Sequence, residues 1–220
     1  MGSSQKRTRL SPIQRELLDA FFAREQRFTL TGGSALGGFH LGHRESKDLD
    51  LFAQPPVTLD AAEHALGDAV RACSASLTTQ IRYDEFRRFL VSRGDDSTLV
   101  DLVIDRAPKV DPNPILHGLV RVDSTREIAA NKICTLLSRC EIRDLIDLKA
   151  LLDSGIELER SLADAETKDG GVNPATLAWL LDQLSIPPDA PIPGDVSPAA
   201  LDEFREDLVR RLRALALPRE

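Results

Sequence analysis

The sequence predicts an α+β protein of two lobes, a mixed sheet with flanking helices over residues 1–110 and a helical lobe over residues 111–220. Three observations lead there. A chain of 220 residues, 42% apolar and 29% charged, suffices for one domain or two small ones with a buried core, and excludes a disordered or collagen-like architecture. Apolar spacing alternates between helical and strand periods as far as residue 105. The composition then shifts at Pro108–Pro114, and beyond that stretch nearly every periodic segment is helical.

Each element has its own warrant. Ile13, Leu17, Leu18, Phe21 and Phe22 recur at helical spacing behind Ser11 and Pro12, which read as an N-cap and a proline at the first helical position. Phe28–Thr31 reads as a short strand meeting Gly32-Gly33-Ser34, with a short helix expected over about 35–41. Alternation marks a strand at Asp48–Phe52, ended by Pro55 and Pro56. A helix over 59–73 precedes strands over 77–81, 86–92 and 98–104, with Gly94-Asp95-Asp96 turning between the last two, for a sheet of roughly five strands. In the second lobe, Ser124 and Glu127 form a capping-box signature for a helix to about Arg139, and a helix over 142–152 stops at Ser154-Gly155. Asn173-Pro174 starts another helix, which includes Trp179, and residues 185–198 are a proline-rich connector. The last helix carries Leu201, Phe204, Leu208, Leu212 and Leu215 on one apolar stripe.

Charge and composition narrow the function classes. The formal net charge is −7, so the global field repels nucleic acid and any such partner needs a local basic patch. Aromatic residues are only 5% of the chain, too few for a base-stacking platform. No stretch approaches the roughly 20 apolar residues of a membrane span, and the polar start MGSSQKRTR has no apolar signal core behind it. Cys73, Cys134 and Cys140 are too few and too irregular for a disulfide framework or a zinc site, which makes a reduced, cytoplasmic protein the expectation.

The chemistry concentrates in a few residues. Glycines in Gly32-Gly33-Ser34 permit a tight strand-to-helix turn whose outward amides suit phosphate oxygens, although the same residues also make an ordinary turn with a serine N-cap. Asp48 and Asp50 alternate with Leu49 and Leu51, so both carboxylates face one side of their strand. Paired acids repel unless a cation lies between them, and a hard divalent ion prefers such oxygens. Asp101 lies in mid-strand among Val100, Leu102 and Val103, and completes a three-carboxylate metal site if its strand lies beside that of Asp48. Asp105, before Arg106, reads as a turn residue.

Thr31–Leu36 followed by His43–Phe52 resembles the signature of the DNA polymerase β-type nucleotidyltransferases, and more narrowly that of the AbiEii/AbiGii toxin family, the toxic half of abortive-infection and toxin–antitoxin pairs. A second block matches too: Glu127–Lys132, Ser138-Arg139, then Arg143-Asp144 and Asp147-Leu148, so the resemblance covers about residues 28–153. It implies that Gly33-Ser34 holds phosphates, that Asp48, Asp50 and Asp101 bind Mg²⁺ or Mn²⁺, and that Lys132 and Asp144 of the helical lobe face the cleft as active-site members. Lys132 would then reach a triphosphate or steady the leaving pyrophosphate. Asp144 and Asp147, three residues apart, would orient Lys132, Arg139 or the acceptor hydroxyl, or favour their own helix N-terminus.

Neighbouring residues have weaker claims. Arg44 suits phosphate through its forked guanidinium, and Ser46 projects to the Asp48 face as a nucleotide contact or a modification target. His40 and His43 have metal-ligand spacing but no third partner nearby. Arg87-Arg88 and Arg210-Arg211 are small basic spots, solvated by default and the candidates for an RNA-holding patch. Cys134 and Cys140 read as helix packing.

The expected function is a Mg²⁺-dependent transfer of NMP from an NTP to an acceptor hydroxyl. By resemblance the acceptor is RNA such as a tRNA 3′ end, the outcome is growth arrest, and a cognate antitoxin is a partner. The rivals are a binding module without turnover, a phosphotransferase moving the γ-phosphate, and transfer to a protein hydroxyl.

Overall fold

In the computed structural model, which describes residues 9–217, two compact units form: one runs to Arg106 and adds Asn113–Ser124, the other comprises Ala107–Pro112 and the chain from Thr125. The polar start Met1–Thr8, read above for a signal segment, lies outside the described residues. Among the described residues no helix is long and apolar enough to cross a membrane.

The first unit contains α1 (Pro12–Phe22), β1 (Thr29–Thr31), the short helix α2 (Gly32–Ala35) continued by a π-helical turn (Leu36–His40), β2 (Asp48–Ala53) and α3 (Leu59–Ala72). Strands β3 (Ser76–Arg82), β4 (Phe86–Arg93), β5 (Asp96–Ile104), β6 (Ile115–His117) and β7 (Val120–Val122) follow. The strands make one mixed sheet in the order β3-β4-β5-β2-β1-β7-β6, in which β2 runs parallel to β5 and β1 parallel to β7. Two strands beyond the expected five are thus present. The β6–β7 hairpin turns at Gly118 (φ +64°) inside the stretch that reads as all helical from composition. Strands of three residues are too short to show a period of two.

Burial explains the register. Leu49 and Leu51 of β2, Val100 and Leu102 of β5, and Phe89 and Val91 of β4 are buried, on the face against which α1 and α3 pack. Asp48, Asp50 and Phe52 point the other way and are half-buried. A slip of one residue would push the carboxylates into the apolar layer, so the hydrophobic pattern alone fixes which face they occupy.

Ser11 caps α1 as the spacing predicts, with a full capping box: Gln14 N donates to Ser11 Oγ at 3.4 Å and Ser11 N to Gln14 Oε1 at 3.0 Å. The same Gln14 is buried, and its Nε2 donates to Ser46 O at 2.8 Å and to Thr98 Oγ1 at 3.1 Å. Thr98 Oγ1 in turn donates to Lys47 O at 2.8 Å. One helix-capping residue therefore ties the segment leading into β2 to Thr98 of β5.

The second unit holds α4 (Thr125–Ser138), α5 (Ile142–Asp153), α6 (Leu158–Lys168), α7 (Pro174–Gln183) and α8 (Pro198–Ala216). Its core joins Ile133, Leu136, Leu145 and Leu148 to Leu177, Leu181, Leu201, Leu208 and Leu212. Cys134 and Cys140 pack against this core, as read from sequence. Helix α6 is an addition to that reading: it shows only Leu158, Leu162 and Ala165 as an apolar stripe among charged residues, and no side chain caps its start.

Glu127 does more here than mark a helix start. Its Oε2 accepts from Val110 N at 2.8 Å and Asp111 N at 3.0 Å, and its Oε1 pairs with Lys168 Nζ at 2.6 Å. Lys168 Nζ also donates to Pro108 O at 2.9 Å, so a buried ion pair fastens the 107–112 segment to α4 and α6. Removing one partner leaves an uncompensated buried charge. Lys168→Met is expected to lower the stability of the helical unit by about 3–5 kcal/mol in urea titration followed by circular dichroism. Glu127→Gln combined with Lys168→Met is expected to recover much of that loss, whereas equal losses in single and double variants would contradict the clamp.

Candidate active site

Strand pairing builds the site in the first unit. Asp50 of β2 lies in register with Asp101 of β5 on a parallel neighbour, and Asp48, paired with Leu99, lies two residues earlier on the same face. The expected adjacency of the two strands is therefore present, and three carboxylates share one face. On the other side of β2, Thr31 pairs with Asp50, which delivers the Gly32-Gly33-Ser34 turn to the same end of the sheet.

The turn is glycine-rich for a steric reason. Gly32 has φ +68°, a left-handed conformation that disfavours side chains, and a Cβ there would strike Asp50 Oδ2. A Cβ on Gly33 would lie 2.6 Å from Arg44 Nη2 and 3.2 Å from Ser46 Oγ. The structure thus gathers Gly33, Arg44 and Ser46 at one point, with Arg44 buried and its Nη1 donating to Glu45 O at 2.9 Å. Ser34 differs from its expected place as N-cap. The helix begins at Gly32 with Thr31 as cap residue, and the buried Ser34 hydroxyl lies 3.5 Å from Thr31 O.

The donor set fits a hard divalent cation, since carboxylate oxygens on one face are what Mg²⁺ and Mn²⁺ select, and the Gly32 turn leaves the Asp50 carboxylate its room. Asp101 is paired within the protein. Arg88 Nε and Nη2 donate to Asp101 Oδ1 and Oδ2 at 2.8 and 2.6 Å, in the forked geometry that matches a carboxylate. Among the described residues no three carboxylate, histidine or cysteine side chains are drawn together as a ligand set, so the expected triad exists as a shared face rather than an assembled cage. Hydrogen bonding to Asp101 raises the Arg88 pKa against the effect of burial, and the charges of Asp101, Asp48 and Asp50 add to it.

The basic spots of the sequence resolve into ion pairs. Arg87 and Arg88 alternate across β4, and Arg87 is buried against α3, bonded to Glu63 and, at 2.6 Å, to Asp60. Arg210 pairs with Asp207 at 3.0 Å. An RNA-holding patch built on Arg87 and Arg88 is thereby replaced by internal charge balance. His40 Nε2 lies 2.8 Å from Asp123 O, a contact inside the first unit.

In the second unit Lys132 and Asp144 meet directly. Lys132 Nζ lies 2.9 Å from Asp144 Oδ1 and 2.7 Å from Asp147 Oδ2, and Arg139 Nε donates to Asp144 Oδ2 at 2.8 Å. Both aspartates are fully buried and Lys132 is 6% exposed, far from the solvated lysine that a helix surface usually carries. Two helices supply this network: Lys132 lies on α4 and Arg139 directly follows it, while Asp144 and Asp147 lie on one side of α5.

Burial alone would raise the Asp144 pKa, but its bonds to Arg139 and Lys132 outweigh that and hold it below its ordinary 3.8. A depressed folded value means the carboxylate stabilises the fold above the unfolded value, and that contribution is lost as pH falls through the folded one. Acid unfolding of the helical unit is therefore expected to set in below about pH 4. Arg139→Gln is expected to move the onset to higher pH in a circular-dichroism titration, and an unchanged onset would contradict this.

From sequence Gln14 is left out and Arg88 reads only as part of a small basic spot, not as a partner of Asp101. The Ser11-to-Gln14 spacing signals the capping box, and the hairpin register signals Arg88 opposite Asp101.

Comparison with known proteins places the fold and the family. The chain is similar in structure to a nucleotidyltransferase candidate from H. pylori, with a TM-score of 0.57 and 18% identity, covering 95% of this chain and 100% of that one. A second solved structure, JHP933 from Helicobacter pylori, gives a TM-score of 0.53 and 19% identity, covering 92% of this chain and 91% of the other. These likenesses show a shared fold. No curated protein matches the sequence. Residues 16–217 match the family described as "Nucleotidyl transferase AbiEii toxin, Type IV TA system", and the chain belongs to that family.

Proposed function

We propose that the chain is a divalent-metal-dependent nucleotidyltransferase that moves NMP from an NTP to an acceptor hydroxyl, and that it serves as the toxin of a toxin–antitoxin pair with a cognate antitoxin as partner. The observation that carries this reading is the Asp50–Asp101 register, with the Gly32 turn packed against Asp50 and Arg44 and Ser46 above Gly33. Asp48 and Asp50, with Asp101, would hold Mg²⁺ or Mn²⁺, which supplies charge neutralisation along the triphosphate.

The chain's own groups do the rest. The Gly33 and Ser34 amides, the Arg44 guanidinium and the Ser46 hydroxyl bind phosphate oxygens. The acceptor oxygen attacks the α-phosphorus as the bond to the bridging oxygen breaks, and pyrophosphate leaves. The hydroxyl proton passes to a carboxylate. By resemblance Lys132 and Asp144 are active-site members, with Asp144 positioning Lys132.

The proposed acceptor is an RNA 3′ end, with tRNA first. The net charge of −7 and the internal pairing of Arg87 and Arg88 favour recognition of a short RNA terminus over a long duplex, because few phosphates would need cations. A protein hydroxyl is the competing acceptor on the same chemistry.

Incubation of the full chain with total RNA, Mg²⁺ and each α-labelled NTP is expected to label an RNA band. Asp48→Ala/Asp50→Ala is expected to reduce that label at least about a thousandfold, since two groups of one cluster act as a unit. Label on protein alone would move the acceptor to a protein hydroxyl. Transfer of γ-label only would replace nucleotidyl with phosphoryl transfer, and saturable NTP binding without either product would leave a binding module.

A further inference from the structure

The proposed reaction has no task for Arg88, yet Arg88 holds both oxygens of Asp101. Its position follows from the β4–β5 hairpin, whose register sets Arg88 opposite Asp101 on the carboxylate face. The Asp101 side chain is 7% exposed and that of Arg88 34%, so the acid is fixed while the guanidinium is reachable from solvent. Phe86, two residues earlier on the same face of β4, places its ring centroid 5.5 Å from the guanidinium carbon and gives it a second resting contact. Asp48 and Asp50 also act on this charge.

The Arg88 guanidinium is thus bonded to Asp101 and lies in the field of Asp48 and Asp50. A forked arginine uses both carboxylate oxygens, so the guanidinium and a metal ion are rivals for Asp101. Resting on the metal-dependent reading above, we propose that Arg88 is a built-in counter-ion of the carboxylate face, one that a divalent cation must displace from Asp101 in order to bind. Asp101 becomes available to the ion once Arg88 lets go. Without metal, Arg88 offsets one of the like charges on this face.

The test measures Mn²⁺ binding to the nucleotide-free full chain through the electron paramagnetic resonance signal of free Mn²⁺. Arg88→Met is expected to bind Mn²⁺ about tenfold more tightly than wild type. Arg88→Lys keeps the charge but loses the fork, and is also expected to bind more tightly than wild type. Equal or weaker affinity in folded Arg88→Met overturns the competition while leaving the metal-dependent reading intact. Arg88→Lys indistinguishable from wild type reduces the effect to net charge and overturns it as well. No Mn²⁺ binding by any of these proteins, with or without a non-hydrolysable NTP, overturns both proposals. Should Arg88→Met fail to fold, the Arg88 Nε–H resonance of the wild-type protein decides: Mg²⁺ is expected to shift it, and an unmoved resonance at saturating Mg²⁺ overturns the proposal.

Discussion

Asp50 and Asp101 stand in register on adjacent parallel strands, and that juxtaposition of like charge governs the first unit. Neither carboxylate can turn to the other face, because Leu49, Leu51, Val100 and Leu102 fill the layer beneath α1 and α3. The repulsion therefore calls for a cation. Arg88 supplies one from β4, and the Gly32 turn keeps its backbone close to Asp50 by having no Cβ. Gln14 and Thr98 tie the segment leading into β2 to β5, which holds this register from the other end.

The second unit solves a related problem by burial. Asp144 and Asp147 are fully covered, and the ammonium of Lys132 joins them, with Arg139 closing on Asp144. Glu127 and Lys168 do the same for the 107–112 segment. Such pairs cost desolvation and add little net stability, but breaking one side leaves a buried charge. They specify one arrangement of α4, α5 and α6, while the leucine core supplies the favourable energy.

Much of this was legible in the chain. A period of two put Asp48, Asp50 and Asp101 on strand faces, and the glycine pair announced the turn before α2. Arg88 was legible in principle. Arg93 pairs with Asp96 across a turn of only Gly94 and Asp95, and counting five residues back along each strand brings Arg88 opposite Asp101. Reading the turn as three residues, Gly94 to Asp96, hides that register, so Arg88 looks like a solvated spot. The β6–β7 hairpin and α6 were out of reach for other reasons: the strands are shorter than one clear alternation, and α6 shows a thin apolar stripe without a cap. The π-helical turn at Leu36–His40 follows no local spacing signal. Its close packing against the 44–46 segment is a tertiary fact, since a Cβ on Gly37 would strike the Arg44 carbonyl.

The central claim is that the Asp48–Asp50–Asp101 face and the Gly32–Ser34 turn form one metal–nucleotide centre. Anomalous diffraction from crystals grown with Mn²⁺ and a non-hydrolysable NTP tests it most directly. A manganese peak coordinated by Asp48 and Asp50, with nucleotide phosphates against the Gly33 and Ser34 amides, is the predicted result. Nucleotide bound elsewhere, or manganese absent from the carboxylate face while nucleotide is present, would contradict the account.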